Sequence, residues 1–173
     1  MIIEILRIAL RFLVLVAIQV LILNNVELGG YINPYLYVLF LLTLPINTPK
    51  LLLLVIAFVT GITIDAFQNT MGMHASACII LAFVHPGWLK MIAPRDGYEV
   101  DATPSIKKFG VKWFLVYSSA LIFLHHLFLF YIEVFRFSEF FTTMGRVLLS
   151  SLATLILVIM SQYLINKPSD RLQ

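Results

Sequence analysis

Long apolar runs separated by short polar stretches dominate this sequence. A helix needs about 20 residues to cross a hydrocarbon core of about 30 Å, so apolar runs near this length predict transmembrane helices. Six runs come close to it, and they predict an all-α integral membrane protein built as a six-transmembrane-helix bundle. The spans are predicted at residues 5–23, 31–47, 51–67, 70–89, 113–132 and 143–165, within a single membrane domain over residues 1–173.

Prolines and asparagines predict where two of these helices begin and end. In the second span, Asn33 is expected to cap the helix, with Pro34 at the first helical position and Pro45 at its end. Pro86 is expected to break the last turn of the fourth span. Because the second and third spans are short, one re-entrant hairpin is an alternative to two complete crossings.

The distribution of basic residues predicts the orientation in the membrane, because cytoplasmic loops collect Lys and Arg. The only long loop, residues 90–112, is then cytoplasmic, and so are both termini. The basic residues predicted on the cytoplasmic side are Arg7, Arg11, Lys50, Lys90, Arg95, Lys107, Lys108, Lys112, Lys167 and Arg171. Only Arg136 and Arg146 fall on the opposite side.

Aromatic residues near the predicted span boundaries agree with this orientation. Tyr31, Tyr35 and Tyr37 lie near the outer boundary of the second span, and Trp88 and Trp113 lie near the inner boundary. Tyr and Trp often occupy the interface between membrane and water. We therefore expect these five side chains at the two interfaces.

Composition excludes a soluble domain and argues against nucleic-acid binding. Hydrophobic residues make up 61% of the chain and charged residues 12%, against about 45–50% and 25% in soluble domains. The net charge of +3 comes from residues between apolar runs, not from a basic stripe. The lone Cys78 excludes an intrachain disulfide. The first apolar run lacks a small-x-small cleavage site, so it is expected to remain as a helix.

Asp65 is the clearest candidate for a functional residue within a span, because a carboxylate inside the bilayer is costly. Gly61 lies one turn earlier on the same face and lets another helix come close. The short connection after Asp65 brings the start of the fourth helix beside the carboxylate, where backbone amides and the helix dipole favour it. The preferred interpretation is a carboxylate that locks a hairpin. Partner recognition, and catalysis or ion transport, are the alternatives.

The histidines do not predict a metal site. His125 and His126 are adjacent, and neighbouring residues on a helix point about 100° apart, so they cannot chelate one ion. One of them is expected to bond inside the bundle while the other faces lipid or water, and His85 is expected near a helix end. The sequence contains no recognisable catalytic motif, so neither a cofactor nor an enzymatic activity is predicted. A lipid-modifying enzyme would require polar side chains that converge on His125 or His126.

Small and hydroxyl residues predict how the helices pack. Such faces let membrane helices approach closely. The predicted packing faces are Ala75, Cys78 and Ala82 on the fourth helix, and Ser150, Thr154 and Ser161 on the sixth.

Half of the chain resembles the rod shape-determining protein MreD family. The resemblance consists of Gln19 in the first helix, the Asn-Pro pair at residues 33–34, and the segment from Gly61 to Asp65 followed by Met71 to His74. In that family a third-helix glycine and aspartate, then a Leu/Met-Gly-x-His/Asn-like turn, recur with this spacing. The last two helices match only as apolar spans.

This resemblance implies a non-enzymatic member of the cell-elongation complex in the bacterial cytoplasmic membrane. The implied partners are the periplasmic scaffold MreC, the actin-like MreB filament, the glycosyltransferase RodA and a class B penicillin-binding transpeptidase. The implied fold is similar to the substrate-binding subunits of energy-coupling-factor vitamin transporters. That similarity gives a rival function, uptake of a small molecule through an outer pocket near Asp65 and His74. The residues expected to shape the bundle or contact a partner are Gln19, Gly61, Asp65, Gly72 and His74.

Overall fold

A computed structural model describes residues 2–25, 31–135 and 139–165 as a bundle of helices. These residues contain no β-strand. The helices are α1 (Ile2–Leu21), followed by a 3-10 turn (Leu23–Asn25), α2 (Val38–Leu42), α3 (Lys50–Gln68), α4 (Met73–Met91), α5 (Ile106–Phe109), α6 (Val111–Val134) and α7 (Phe140–Ile165).

Four helices are long and apolar enough to cross a membrane, namely α1 with its 3-10 turn, α3, α6 and α7. Helix α4 has the same length as α3, 19 residues, and packs against both α3 and α6. Its small residues Ala75, Cys78 and Ala82 are buried, as predicted. Pro86 does not end this helix, because α4 continues to Met91.

The predicted second span is where the structure departs most from the sequence pattern. Only five residues, Val38–Leu42, are α-helical, and residues 33–35 have no regular structure. Asn33 therefore caps no helix, and the prediction of a helix over residues 31–47 was wrong. The apolar character of this segment has another cause, because Tyr37, Val38 and Leu41 are fully buried in the core.

Residues 31–46, called the crossing segment here, pass from one end of the bundle to the other. The Tyr31 hydroxyl donates to Thr142 O at the start of α7 over 2.5 Å, and Ile46 N donates to Ala102 O over 2.8 Å in the connection between α4 and α6. The 24 residues of α6 separate these two sites, a rise of about 36 Å. Residues 33–35 lie outside any helix, and non-helical backbone can advance farther per residue than a helix does, which lengthens the reach of this short segment.

Hydroxyl groups on α7 accept hydrogen bonds from backbone amides of the crossing segment that have no helical partner. Asn33 N donates to Ser150 Oγ over 3.0 Å, and Tyr35 N donates to Thr154 Oγ1 over 2.9 Å. Both hydroxyl residues are fully buried. Irregular backbone at membrane depth is tolerated only where protein encloses it. The polar face predicted on the last helix therefore pairs with backbone in addition to packing.

Basic residues cluster at the end of the bundle that holds the connection between α4 and α6. Helix α3 begins at Lys50, α4 has Lys90 in its last turn, and Lys112 lies at the start of α6. At the other end, Arg146 Nη1 lies 3.1 Å from Glu133 Oε1. Three of the predicted basic positions, Arg136, Lys167 and Arg171, lie outside the described residues.

Candidate functional site: a buried hydrogen-bond network

The site begins where the backbones of α3 and α4 touch. A Cβ atom on Gly61 would lie 2.3 Å from Ala75 Cα and 2.6 Å from His74 O. Only a residue without a side chain fits between the helices at this point. The close approach predicted from Gly61 is therefore present.

The turn that joins the two helices depends on left-handed backbone conformations. Asn69 ends α3 with φ of 55°, and Gly72 precedes α4 with φ of 82°. Glycine adopts such angles without a steric penalty, and asparagine tolerates them better than most residues. A Cβ on Gly72 would meet open space, so backbone conformation, and not packing, favours glycine here.

Asp65 connects the end of α3 to the beginning of α4. Its Oδ1 accepts hydrogen bonds from His74 N at 3.0 Å and from the Thr70 hydroxyl at 2.5 Å. Its Oδ2 accepts from Ala75 N at 2.9 Å. The side chain is only 3% exposed. The first amides of a helix lack partners within the helix and carry a positive partial charge, so the carboxylate both satisfies and neutralises them.

A chain of hydrogen bonds leads from this hairpin into the centre of the bundle. His74 Nε2 lies 2.9 Å from Gln68 Oε1, and His74 Nδ1 lies 2.9 Å from the Tyr37 hydroxyl. The same hydroxyl lies 2.8 Å from His125 Nε2. His74, Tyr37 and His125 are each at most 2% exposed. Three separate parts of the fold, α4, the crossing segment and α6, therefore meet at one phenol.

The donor and the acceptor of each hydrogen bond in this chain can be assigned by starting from the side chain of Gln68. Gln68 Oε1 can only accept, so His74 Nε2 donates the proton. With a neutral ring, His74 Nδ1 then accepts from the Tyr37 hydroxyl, whose oxygen accepts in turn from His125 Nε2. This leaves a lone pair on His125 Nδ1, which is buried without a partner in the described part of the chain.

His126 belongs to a second branch of the network. Its Nδ1 donates to Ile122 O over 2.8 Å, and its Nε2 accepts from the Thr154 hydroxyl over 3.0 Å. That hydroxyl also accepts from Tyr35 N. His125 and His126 are both 0% exposed. The prediction that one of them faces lipid or water was therefore wrong, because two different elements supply partners for the two rings.

Two of the predicted interfacial tyrosines belong instead to the core. Tyr35 is 7% exposed and Tyr37 is 0% exposed, whereas Tyr31 is partly buried. Tyr37 was not predicted as a central residue, because its position was assigned to the end of a membrane helix. The sequence feature that indicates a different structure here is the pair of prolines, Pro34 and Pro45, near the two ends of this apolar run.

Gln19 attaches α1 to the crossing segment. Its Nε2 donates to Pro34 O at 3.2 Å and to Asn24 Oδ1 at 2.9 Å, while its Oε1 accepts from Tyr37 N at 3.4 Å. One amide side chain thus pairs with two backbone groups that have no helical partner. This is the cross-segment bonding that a buried glutamine in a span predicts.

A smaller pair of polar side chains lies nearer the end of the bundle that carries the basic residues. His85 Nε2 lies 2.7 Å from the Tyr117 hydroxyl, which donates to Leu42 O over 2.8 Å. His85 is 2% exposed and α4 continues beyond it to Met91. It is therefore an interior residue, not the helix-end residue that the sequence predicted.

The polar side chains of the network are enclosed within the bundle. Among the described residues, no group of three His, Cys, Asp or Glu side chains could hold a metal ion. Cys78 is a buried free thiol whose Sγ lies 4.0 Å from both the Tyr37 hydroxyl and His125 Nε2. Nearly every polar atom of the network already has a partner within the bundle.

Tyr37→Phe is expected to lower the free energy of unfolding by about 2 kcal/mol, because it leaves ring nitrogens of His74 and His125 buried without a partner. Thermal unfolding of the purified protein in detergent measures this. Tyr163→Phe is the matched control, since Tyr163 lies on α7 and is 56% exposed. Equal midpoints for the two variants would contradict a stabilising role for the network.

The residues singled out from the sequence form one connected unit. Gly61, Asp65, Gly72 and His74 build the hairpin between α3 and α4, and Gln19 reaches the same centre through Tyr37 N. The unit joins α1, α3, α4, α6 and the crossing segment. No family model, no curated protein and no solved structure matches this chain.

Proposed function

We propose that this chain is a non-enzymatic membrane scaffold of the bacterial cell-elongation complex, of the MreD type. In this role it links MreC-like and MreB-like proteins to peptidoglycan synthesis by RodA-type and class B penicillin-binding enzymes. The observation that carries the proposal is that four residues behind the MreD resemblance, Gln19, Gly61, Asp65 and His74, belong to one connected unit. Asp65, Gly61 and His74 fasten two helices together, and Gln19 fastens a third element to the same centre.

The bonding inside the network supports a structural role over catalysis. Polar side chains do converge on His125, as a lipid-modifying enzyme would require. They are fully buried, however, and Tyr37 and His74 bond to each other and to the rest of the network. His125→Ala tests the enzymatic alternative. A lipid-modifying enzyme should show changed membrane lipids or envelope precursors in this variant, whereas the control Tyr163→Phe should leave them unchanged.

The proposed topology has six crossings and cytoplasmic termini in the bacterial inner membrane. It combines four apolar helices with α4 and with the crossing segment, which runs between opposite ends of α6. The basic residues support this orientation, because Lys50, Lys90 and Lys112 share one end of the bundle.

Helix α1 is the best candidate for the face that a membrane-embedded partner contacts. In the most apolar 18-residue stretch of α1, only 17% is buried inside the bundle, against 28–44% for the corresponding stretches of the other three apolar helices. Leu6 and Leu13, for example, are 62% and 61% exposed. A scaffold needs such a surface for the transmembrane helix of a partner.

Site-specific photo-crosslinking tests this function in living cells. A crosslinker at Leu13 is expected to capture an MreC-like protein, whereas one at Phe83, which is 73% exposed on α4, is the matched control. Depletion of the protein should also make a rod-shaped host lose its shape. Unchanged cell shape, together with no MreC-like capture from α1, would overturn the proposal.

A cavity supports the rival function, a subunit for small-molecule uptake. The cavity has a volume of about 400 Å³, and polar residues line much of it. These residues are Gln19, Asn24, Asn25, Asn33 and Gln68. A vitamin-like compound that co-purifies in stoichiometric amounts, and is lost in Gln68→Leu, would favour uptake over scaffolding.

A further inference from the structure

A second cavity, of about 530 Å³, opens between α1 and the last turns of α7. We propose that it binds one anionic glycerophospholipid from the cytoplasmic leaflet. Arg7 and Arg11 line it on the α1 side, Gln162 on the α7 side, and Leu36 and Leu39 of the crossing segment form part of its floor. The assignment to the cytoplasmic leaflet rests on the proposed orientation, whereas the binding itself does not require the scaffold function.

The whole cavity, with its two arginines included, is about as long as half of a membrane's hydrocarbon core is thick. Along α1 its lining extends from Arg7 to Ile18, about 16 Å at 1.5 Å per residue. Half of a hydrocarbon core is about 15 Å. Leu10 and Val14 line the cavity and are 62% and 47% exposed, so an acyl chain can enter sideways from the bilayer.

The polar end of the cavity suits a phosphodiester. Arg7 and Arg11 are four residues apart and therefore share a face of α1. Arg11 Nη1 donates to Thr43 O over 2.9 Å, which fixes the guanidinium at the cavity wall. Guanidinium groups recognise phosphate oxygens through paired, charge-assisted hydrogen bonds. Among the described residues, the lining contains these two cations and no Asp or Glu.

Charge distinguishes this occupant from the helix of a partner protein. Arg7 and Arg11 make one end of the cavity positive, which an anionic headgroup complements and an apolar transmembrane helix does not. Anionic lipids also concentrate Lys and Arg at the cytoplasmic surface. Ser105 at the same end accepts from Lys108 N and keeps a hydroxyl proton that can be donated to the rest of a headgroup. The combination of an apolar slot with a cationic end fits a phospholipid.

Native mass spectrometry of the full chain in detergent tests the proposal. Phosphatidylglycerol is titrated against phosphatidylcholine with the same acyl chains, and one phosphatidylglycerol per chain is expected at about tenfold higher affinity. The Arg7→Gln/Arg11→Gln variant should lose about tenfold of that affinity. Lys90→Gln/Lys112→Gln removes two exposed cations from the same end and should change it less than about twofold.

Further measurements distinguish binding of a whole phospholipid from binding of its headgroup alone. Val14→Trp fills the slot while both arginines remain, and it should also weaken phosphatidylglycerol binding about tenfold. Glycerol phosphate, which lacks acyl chains, should not compete. Equal affinity for the two lipids, equal loss in both cation variants, or binding that survives Val14→Trp would each overturn the proposal. Thermal unfolding of each variant confirms that it is folded before its affinity is compared.

Discussion

Gly61→Ala is expected to destabilise the bundle by about 3 kcal/mol, although it adds a single methyl group to a residue in the middle of a helix. The new Cβ would lie 2.3 Å from Ala75 Cα, which is far inside van der Waals contact. Backbone cannot rotate away as a flexible side chain can, so α3 and α4 must separate. Gly61→Leu should prevent recovery of folded protein altogether.

Gly87→Ala is the matched control, because Gly87 also lies inside a helix but a Cβ added to it would have nothing within 4 Å. Alanine is the better helix former there, so this variant should gain up to about 1 kcal/mol. Thermal unfolding in detergent measures both variants, and a loss of about 3 kcal/mol corresponds to roughly 10 °C in a chain of this size. If Gly61→Ala and Gly87→Ala unfold at the same temperature, the two backbones do not touch in solution.

The parts of the fold that follow from local sequence pattern could be predicted. Apolar runs of sufficient length predicted α1, α3, α6 and α7, and these are the helices long and apolar enough to cross a membrane. The hairpin around Asp65 could also be predicted, since Gly61 and the α4 amides lie within ten residues or so of it. In both cases the residues that determine the local structure are close together in the sequence.

The crossing segment could not be predicted, because its backbone partners are remote in sequence. Tyr35 N bonds a residue 119 positions away, and Asn33 N bonds one 117 positions away. A buried segment with little regular structure and a membrane helix can both be apolar runs, and hydrophobicity alone does not separate them. The choice depends on hydroxyl groups of α7, which replace the helical hydrogen bonds.

The centre of the candidate site was missed for the same reason. Tyr37 meets His74 and His125 across 37 and 88 positions, and an isolated tyrosine near a predicted span boundary is ordinarily interfacial. The adjacent histidines His125 and His126 are both 0% exposed. Their complete burial becomes understandable only once the crossing segment supplies one partner and α7 the other.

Asp65→Asn is expected to cost about 3 kcal/mol, more than its near-identical shape suggests. Both carboxylate oxygens accept backbone amides, Oδ1 from His74 N and Oδ2 from Ala75 N. An asparagine has only one oxygen, so its NH₂ group must face one of these N–H donors. The substitution therefore creates a donor-to-donor contact at a buried site and also removes the negative charge from the start of α4.

Asp96→Asn is the control for loss of charge alone, because Asp96 lies exposed in the connection between α4 and α6 and should tolerate the change within about 0.5 kcal/mol. Thr70→Val supplies an intermediate case, since it removes only the hydroxyl that donates to Oδ1. The expected order of unfolding midpoints is Asp96→Asn highest, then Thr70→Val, then Asp65→Asn, whereas Gly61→Leu should give no folded protein to measure. A midpoint for Asp65→Asn equal to that of Asp96→Asn would show that the carboxylate does not hold the hairpin, and that close packing at Gly61 alone keeps α3 and α4 together.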